Sequence, residues 1–226
     1  MAKNKTVIKT TPATTDGQRI GIFGASGSGK TTKARSLITS CNRLIVFDPK
    51  QEWIREKWLK NRVIVQTIAD FKRIMSKKFA TGFHIVYVPN LSNAVKELSD
   101  LCSEIFKIQA GYKVQHMAKI TVLIDEAQEG IPSGTSRLNP AHGALTIAKM
   151  GRDRGINMIV ASQRIKTVDI GIRANLSGIY IFRLSELADI NEATQIVRDK
   201  DKLLSMQNYS YFFKDLNGNI NFFEKK

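Results

Sequence analysis

The sequence predicts an α/β fold in which a mostly parallel sheet is flanked by helices. Three observations carry that expectation. Short β-branched runs alternate with stretches of helical periodicity along most of the chain. The first strong run, Arg19–Phe23, passes directly into a Gly-rich turn and then a helical pattern, giving a strand–turn–helix unit. Near the end, Tyr209–Lys214 and Asn219–Phe223 flank Asp215-Leu216-Asn217-Gly218, which reads as a C-terminal β-hairpin at a sheet edge.

Taken in order, residues 1–17 are polar, contain Lys3, Lys5 and Lys9, and close on Thr14, Thr15 and Gly17. That composition predicts a flexible basic arm. Residues 18–226 are expected to form a single domain. Its strands are predicted at Arg19–Phe23, Arg43–Phe47, Val63–Gln66, Phe83–Val88, Lys119–Ile124, Ile156–Ala161 and Ile179–Arg183. Helices are predicted at Thr31–Ser40, Ile68–Ser76, Asn93–Gln109, Ala141–Met150 and Glu186–Val197. No repeat or low-complexity tract follows the arm.

A chain of 226 residues with 42% hydrophobic and 24% charged content can bury a full core without staples. Cys41 and Cys102 show neither metal nor disulfide spacing and read as buried free thiols of a reducing cytosol. No segment has the apolar length of a membrane span, and the N-terminus lacks a signal-peptide run. The net charge of +15 repels itself unless a polyanion is a regular partner. Its basic residues are scattered, which suits contact with a nucleic-acid backbone better than base reading by one helix.

Gly24-Ala25-Ser26-Gly27-Ser28-Gly29-Lys30-Thr31 matches the G-x-x-x-x-G-K-[ST] pattern in full. The glycines let backbone N–H groups curl round a phosphate with no Cβ in the way. Lys30 places a positive charge on the β- and γ-phosphates, and Thr31 offers its hydroxyl to Mg²⁺. The following helix, with Thr32 in its first turn, points its positive end at the anion. ATP with Mg²⁺ is the expected ligand, and the fold is expected to be a P-loop NTPase of the ASCE, RecA-like kind.

A second element is the apolar strand Ile120-Thr121-Val122-Leu123-Ile124, which ends on Asp125-Glu126. Asp125 is placed to hold Mg²⁺ through water, and Glu126 to act as the general base on the attacking water. Asp48, at the end of Ile45-Val46-Phe47, competes for the metal role. Asp125 is preferred because its strand comes later and carries the extra glutamate. Gln163, at the end of Ile156–Ser162, has the reach to sense a γ-phosphate. Arg152 and Arg154, in Gly151-Arg152-Asp153-Arg154-Gly155, are candidates for a finger acting on a neighbouring subunit's nucleotide. Arg173 and Arg183 are outside candidates for the same role. His84, His116, His142, Trp53 and Trp58 are expected to play structural parts.

Several stretches resemble FtsK/HerA-type DNA translocases: Ile147-Ala148-Lys149-Met150-Gly151-Arg152, Gly155–Arg164, Val168-Asp169 and Ile172-Arg173-Ala174-Asn175. Phe47-Asp48-Pro49-Lys50 and Leu123-Ile124-Asp125-Glu126 fit the same superfamily, and the resemblance covers residues 18–185. It implies a ring, usually a hexamer, that drives double-stranded DNA through a central pore, with nucleotide sites between subunits. On that pattern Arg152 is the preferred finger. A bare motor core of this size is most similar to the genome-packaging ATPases of membrane-containing, tectivirus-like icosahedral viruses. The implied partners are then capsid, vertex or membrane proteins, and the implied places are host cytoplasm and virion. Ile165 departs from the proline that usually follows Gln-Arg in FtsK. DNA is expected at Gly130–Arg137 or Arg164–Arg173, through Arg137 or Lys166. A Zot-type filamentous-phage assembly ATPase, a P-loop kinase for a small molecule and a non-catalytic scaffold are the competing readings.

Overall fold

The computed structural model of the chain describes residues 17–59, 61–111 and 119–224. Residues 1–16 of the expected arm, and His116, lie outside the described residues. The strands are β1 (Arg19–Phe23), β2 (Arg43–Phe47), β3 (Val63–Val65), β4 (Phe83–Tyr87), β5 (Ile120–Ile124), β6 (Ile156–Ser162), β7 (Gly178–Phe182), β8 (Tyr211–Lys214) and β9 (Ile220–Phe223). They form one sheet in the order β3-β4-β2-β5-β6-β1-β7-β8-β9. Pairing is parallel from β3 through β7. The β7–β8 and β8–β9 pairs are antiparallel, so the C-terminal hairpin occupies an edge as the sequence predicts.

The longer helices are α1 (Lys30–Ile38), α2 (Ile68–Lys78) and α3 (Ala94–Ile108), followed by the short α4 (Ala127–Gly130) and α5 (Thr135–Leu138). Then come α6 (Gly143–Met150), the short α7 (Ile170–Arg173), α8 (Leu187–Val197) and α9 (Lys200–Ser205). Sequence periodicity finds the five long helices to within a few residues. It misses α4, α5, α7 and α9, because four to six residues are too few to display a 3.6-residue repeat. Local chemistry builds those turns instead. Gly134 enters α5 at φ 93°, and the buried Asp169 carboxylate accepts from Gly171 N at 2.7 Å to start α7.

Strands with apolar residues on both faces bury both sides of the sheet. On one face Ile45, Phe47, Val122, Ile124 and Val160 pack with Leu98, Leu101 and Ile105 of α3 and with α6. On the other, Leu44, Val46, Leu123 and Ile159 pack with Ala34 and Ile38 of α1 and with Trp53. The alternation within β2 and β5 follows the two-residue period of a strand. Cys102 is buried as expected, whereas Cys41 is only half-buried, with Sγ 3.3 Å from Thr121 Oγ1.

Candidate nucleotide site

Parallel strands present all their C-terminal ends at one edge, and ligands in such sheets bind there. In this chain β5, β6 and β1 are neighbours. Their ends therefore bring Asp125-Glu126, Ser162-Gln163 and the glycine-rich turn together, although they are far apart in sequence. The turn is tied at both sides: Gly24 N donates to Ser162 O at 3.3 Å, and Ala25 N to Arg183 O at 2.7 Å. Gly27 and Gly29 have φ of 71° and 113°, in the left-handed region that favours glycine. A Cβ on Gly24 would lie 2.6 Å from Phe182 Cβ and 2.7 Å from Ser28 Oγ.

Ser28 Oγ is buried and has no partner of its own among the described residues. Lys30 Nζ donates to Ala25 O at 3.1 Å. Burial pushes the Lys30 ammonium below its ordinary pKa, while the Glu126 and Asp125 charges oppose that shift. Both carboxylates therefore lie within electrostatic reach of Lys30.

Asp125 is buried, with Oδ2 accepting from Trp53 Nε1 at 2.7 Å and Oδ1 from Glu126 N at 3.0 Å. Burial, reinforced by the Glu126 charge, pushes its pKa up to about 6 against the pull of those hydrogen bonds. Glu126 sits at φ 42°, ψ 55°, a backbone that a non-glycine residue adopts at a cost of about 1–3 kcal/mol. Both of its carboxylate oxygens are occupied. Oε1 accepts from Lys50 Nζ at 2.5 Å and from Gln163 Nε2 at 2.8 Å. Oε2 accepts from Gln128 Nε2 at 2.7 Å, and Gln128 is itself held by Ser162 Oγ at 2.7 Å. Burial alone would raise the Glu126 pKa, but the donors Gln128, Lys50 and Gln163 outweigh it and leave it lowered.

Asp48 does different work from Asp125. Its carboxylate accepts the backbone N–H groups of Glu52, Trp53 and Ile54 at 3.0, 2.8 and 3.2 Å. That closes a 3₁₀ turn over Trp53–Arg55, and the turn delivers the Trp53 indole to Asp125. Trp53 thus has a polar role at the site beyond the packing expected of it. Lys50 and Gln128, which sequence reasoning left without a role, join Trp53 around the two carboxylates. The available signal was Phe47-Asp48-Pro49-Lys50, whose lysine follows a strand ending at the same edge.

The arginines divide clearly. Arg152 and Arg154 lie in a 3₁₀ turn before β6, at the opposite edge of the sheet from the glycine-rich turn. Neither reaches the site of its own chain. Arg154 is engaged internally: Nη1 donates to Phe106 O at 2.8 Å, and the guanidinium lies 3.7 Å over the Phe106 ring. Arg152 is exposed. Arg173 pairs with Glu192 and donates to Val168 O. Arg183 Nε donates to Asn208 Oδ1 at 2.7 Å.

The two stretches expected near DNA form one surface. Pro132 and Val168 make an antiparallel bridge, and Ser133 N donates to Thr167 O at 2.8 Å. Asp169 Oδ2 also accepts from Ser136 N and Oγ at 2.9 and 3.1 Å. Asp189 fixes the neighbouring turn by accepting from Arg164 Nε and Lys166 N, both at 3.0 Å. Arg137 and Lys166 are exposed on these joined segments, as are Leu138 and Ile170.

The family model described as the central domain of helicase HerA matches residues 14–139. Among solved structures, the fold is similar to the genome-packaging NTPase B204 of Sulfolobus turreted icosahedral virus 2 in complex with ATP-gammaS. The TM-score is 0.68 at 13% identity, covering 94% of this chain and 98% of that one. It is also similar to B204 of Sulfolobus turreted icosahedral virus, with TM-score 0.63 and 17% identity over 92% and 97% of the two chains. VirB4 of Thermoanaerobacter pseudethanolicus matches with TM-score 0.65 and 11% identity over 92% of this chain and 89% of that one. No curated protein sequence matches.

Proposed function

We propose, from the premise that the chain belongs to the helicase HerA central-domain family and is a P-loop ATPase, that it translocates double-stranded DNA to package a viral genome. The observation that carries this reading is the meeting of three strand ends: the glycine-rich turn of β1, the carboxylates of β5 and the amide of β6. Gly24–Thr31 would wrap the phosphates, with Thr32 in the next turn. The left-handed Gly27 and Gly29 and the buried, unmatched Ser28 hydroxyl fit such a cradle. Thr31 and Asp125 supply hard oxygen donors of the type Mg²⁺ prefers. When bound there, Mg²⁺ would neutralise developing charge on the phosphate oxygens.

Glu126 would take the proton of the attacking water. Its carboxylate is aimed by Gln128, Gln163 and Lys50, so its direction is set before any substrate arrives. Gln163 would couple the end of β6 to that carboxylate. Arg152, exposed and far from its own site, is suited to acting on a neighbour in a ring, with a hexamer as the expected form. Arg154 is less suited because it is only half-exposed, its guanidinium lying over the Phe106 ring. The joined surface bearing Arg137 and Lys166 would meet DNA phosphates. Capsid or vertex proteins would be the docking partners, and host cytoplasm and virion the working places. Among the described residues no helix is long and apolar enough to cross a membrane.

The test is the ATPase rate with and without long double-stranded DNA. A translocase is stimulated by DNA, whereas a small-molecule kinase ignores it. Displacement of a strand from a triplex placed far along the duplex then measures movement. An ATPase unaffected by DNA and unable to displace the strand would remove the packaging role while leaving the ATPase in place.

A further inference from the structure

We propose that Tyr209 is the platform on which the nucleobase of the bound nucleoside triphosphate stacks. The inference rests on Gly24–Thr31 being the phosphate cradle. Sheet order then gives the nucleotide a direction. The acidic and amide groups Asp125, Glu126 and Gln163 lie on the β5–β6 side of the turn, so the terminal phosphate faces that way. The nucleoside must leave on the other side of β1, toward β7 and β8.

On that side the segment between α9 and β8 folds back over the glycine-rich turn. Tyr209 N donates to Ser28 O at 2.7 Å. The Tyr209 ring borders Gly29, where a built Cβ would stand 3.0 Å from Tyr209 Cδ1. Tyr209 is held at φ 68°, a left-handed conformation unusual for an aromatic residue and concentrated at ligand clamps. With those ties made, 45% of the residue remains exposed. Its neighbour Asn208 is fixed by Arg183, whose carbonyl anchors Ala25.

The other tyrosines on this side pack within the sheet edge. Tyr211 stacks on Phe223 at 4.9 Å and receives Lys33 Nζ at 3.0 Å, while Tyr180 stacks on Phe213 at 4.4 Å. Tyr209 is bonded to the turn through its backbone, and its ring borders Gly29 together with that of Phe182. A stacking platform accepts any base with a broad π face, so it strengthens binding of purine nucleotides without reading their edges.

Calorimetric titration with ADP and with inorganic tripolyphosphate separates base from phosphate. The protein forms compared are the unaltered chain, Tyr209→Phe and Tyr209→Leu; leucine keeps bulk against Gly29 but has no π face. Tyr209→Leu should weaken ADP binding by about ten-fold or more and leave tripolyphosphate within about two-fold. Tyr209→Phe should keep both. As a second measure, the emission that Tyr209→Trp adds to that of the unaltered chain, whose Trp53 already reports on Asp125, should change with ADP and not with tripolyphosphate. Unchanged ADP affinity in Tyr209→Leu would overturn the platform while sparing the cradle. Equal loss of both ligands would reduce Tyr209 to a prop for the turn, and that also overturns it. Failure of the unaltered chain to bind either ligand would remove the cradle, and the platform with it.

Discussion

Breaking the ion pair between Lys50 and Glu126 gives the most direct measure of how the carboxylate is held. The two groups are 2.5 Å apart, with the Glu126 side chain 9% exposed and that of Lys50 42% exposed. Two unit charges about 4 Å apart at an effective dielectric of about 20 attract by about 4 kcal/mol. Lys50 is more than a third exposed, so solvent screening and its lost rotamer freedom cancel most of that, leaving about 1 kcal/mol. A double-mutant cycle of Lys50→Met, Glu126→Gln and the pair, read by urea unfolding at pH 7 without nucleotide, should return that coupling. The sign of its pH dependence follows from the lowered Glu126 pKa. The coupling is full above the ordinary value of 4.5 and disappears as pH falls through the lower folded value. A coupling under about 0.3 kcal/mol at pH 7, within the scatter of independent sites, would refute the reasoning. So would one that survives acidification unchanged.

Trp53→Phe keeps most of the buried ring but deletes the donor to Asp125 Oδ2, so thermal unfolding should show a loss of about 1–3 kcal/mol. A change within error would mean that the indole only fills space. The buried His142 carries its proton on Nε2 toward Val95 O and accepts Ala144 N at Nδ1, and burial holds its pKa below 6.5. Stability should therefore decline as pH drops from 6.5 toward that lower value, and His142→Asn should flatten the decline. Reversing Arg137 and Lys166 to Glu should lower affinity for any duplex sequence and reduce the salt slope by about two units; an unaltered slope would move the DNA surface elsewhere.

Much of this molecule is legible in the sequence, for reasons that are specific to each part. Strands such as Ile120–Ile124 are apolar on both faces, and only a covered parallel sheet accepts such runs. The Gly24–Thr31 pattern is local, so its left-handed glycines can be read from residue type alone. The contacts on Glu126 are a different matter. Gln128 is a near neighbour in the chain, but Lys50 and Gln163 reach Glu126 from other strand ends, and only the strand order brings them there. Asp48 illustrates the same limit: a strand-end carboxylate suits a metal equally well in sequence, yet its three amide partners make it a turn former. Tyr209 carries no local signal at all, since its tie to Ser28 spans most of the chain.

The position of β1 also bears on how the chain is made. It is inserted between β6 and β7, and Gln18 N finds Asn157 Oδ1 across 139 residues. On a ribosome β1 precedes both of its flanking strands and has no partner in this sheet until β6 has been synthesised. Contacts of such long separation slow folding, and they leave an apolar strand open to wrong partners meanwhile. Of the described strands of this sheet, the earliest in the chain is the one that joins β6 to β7.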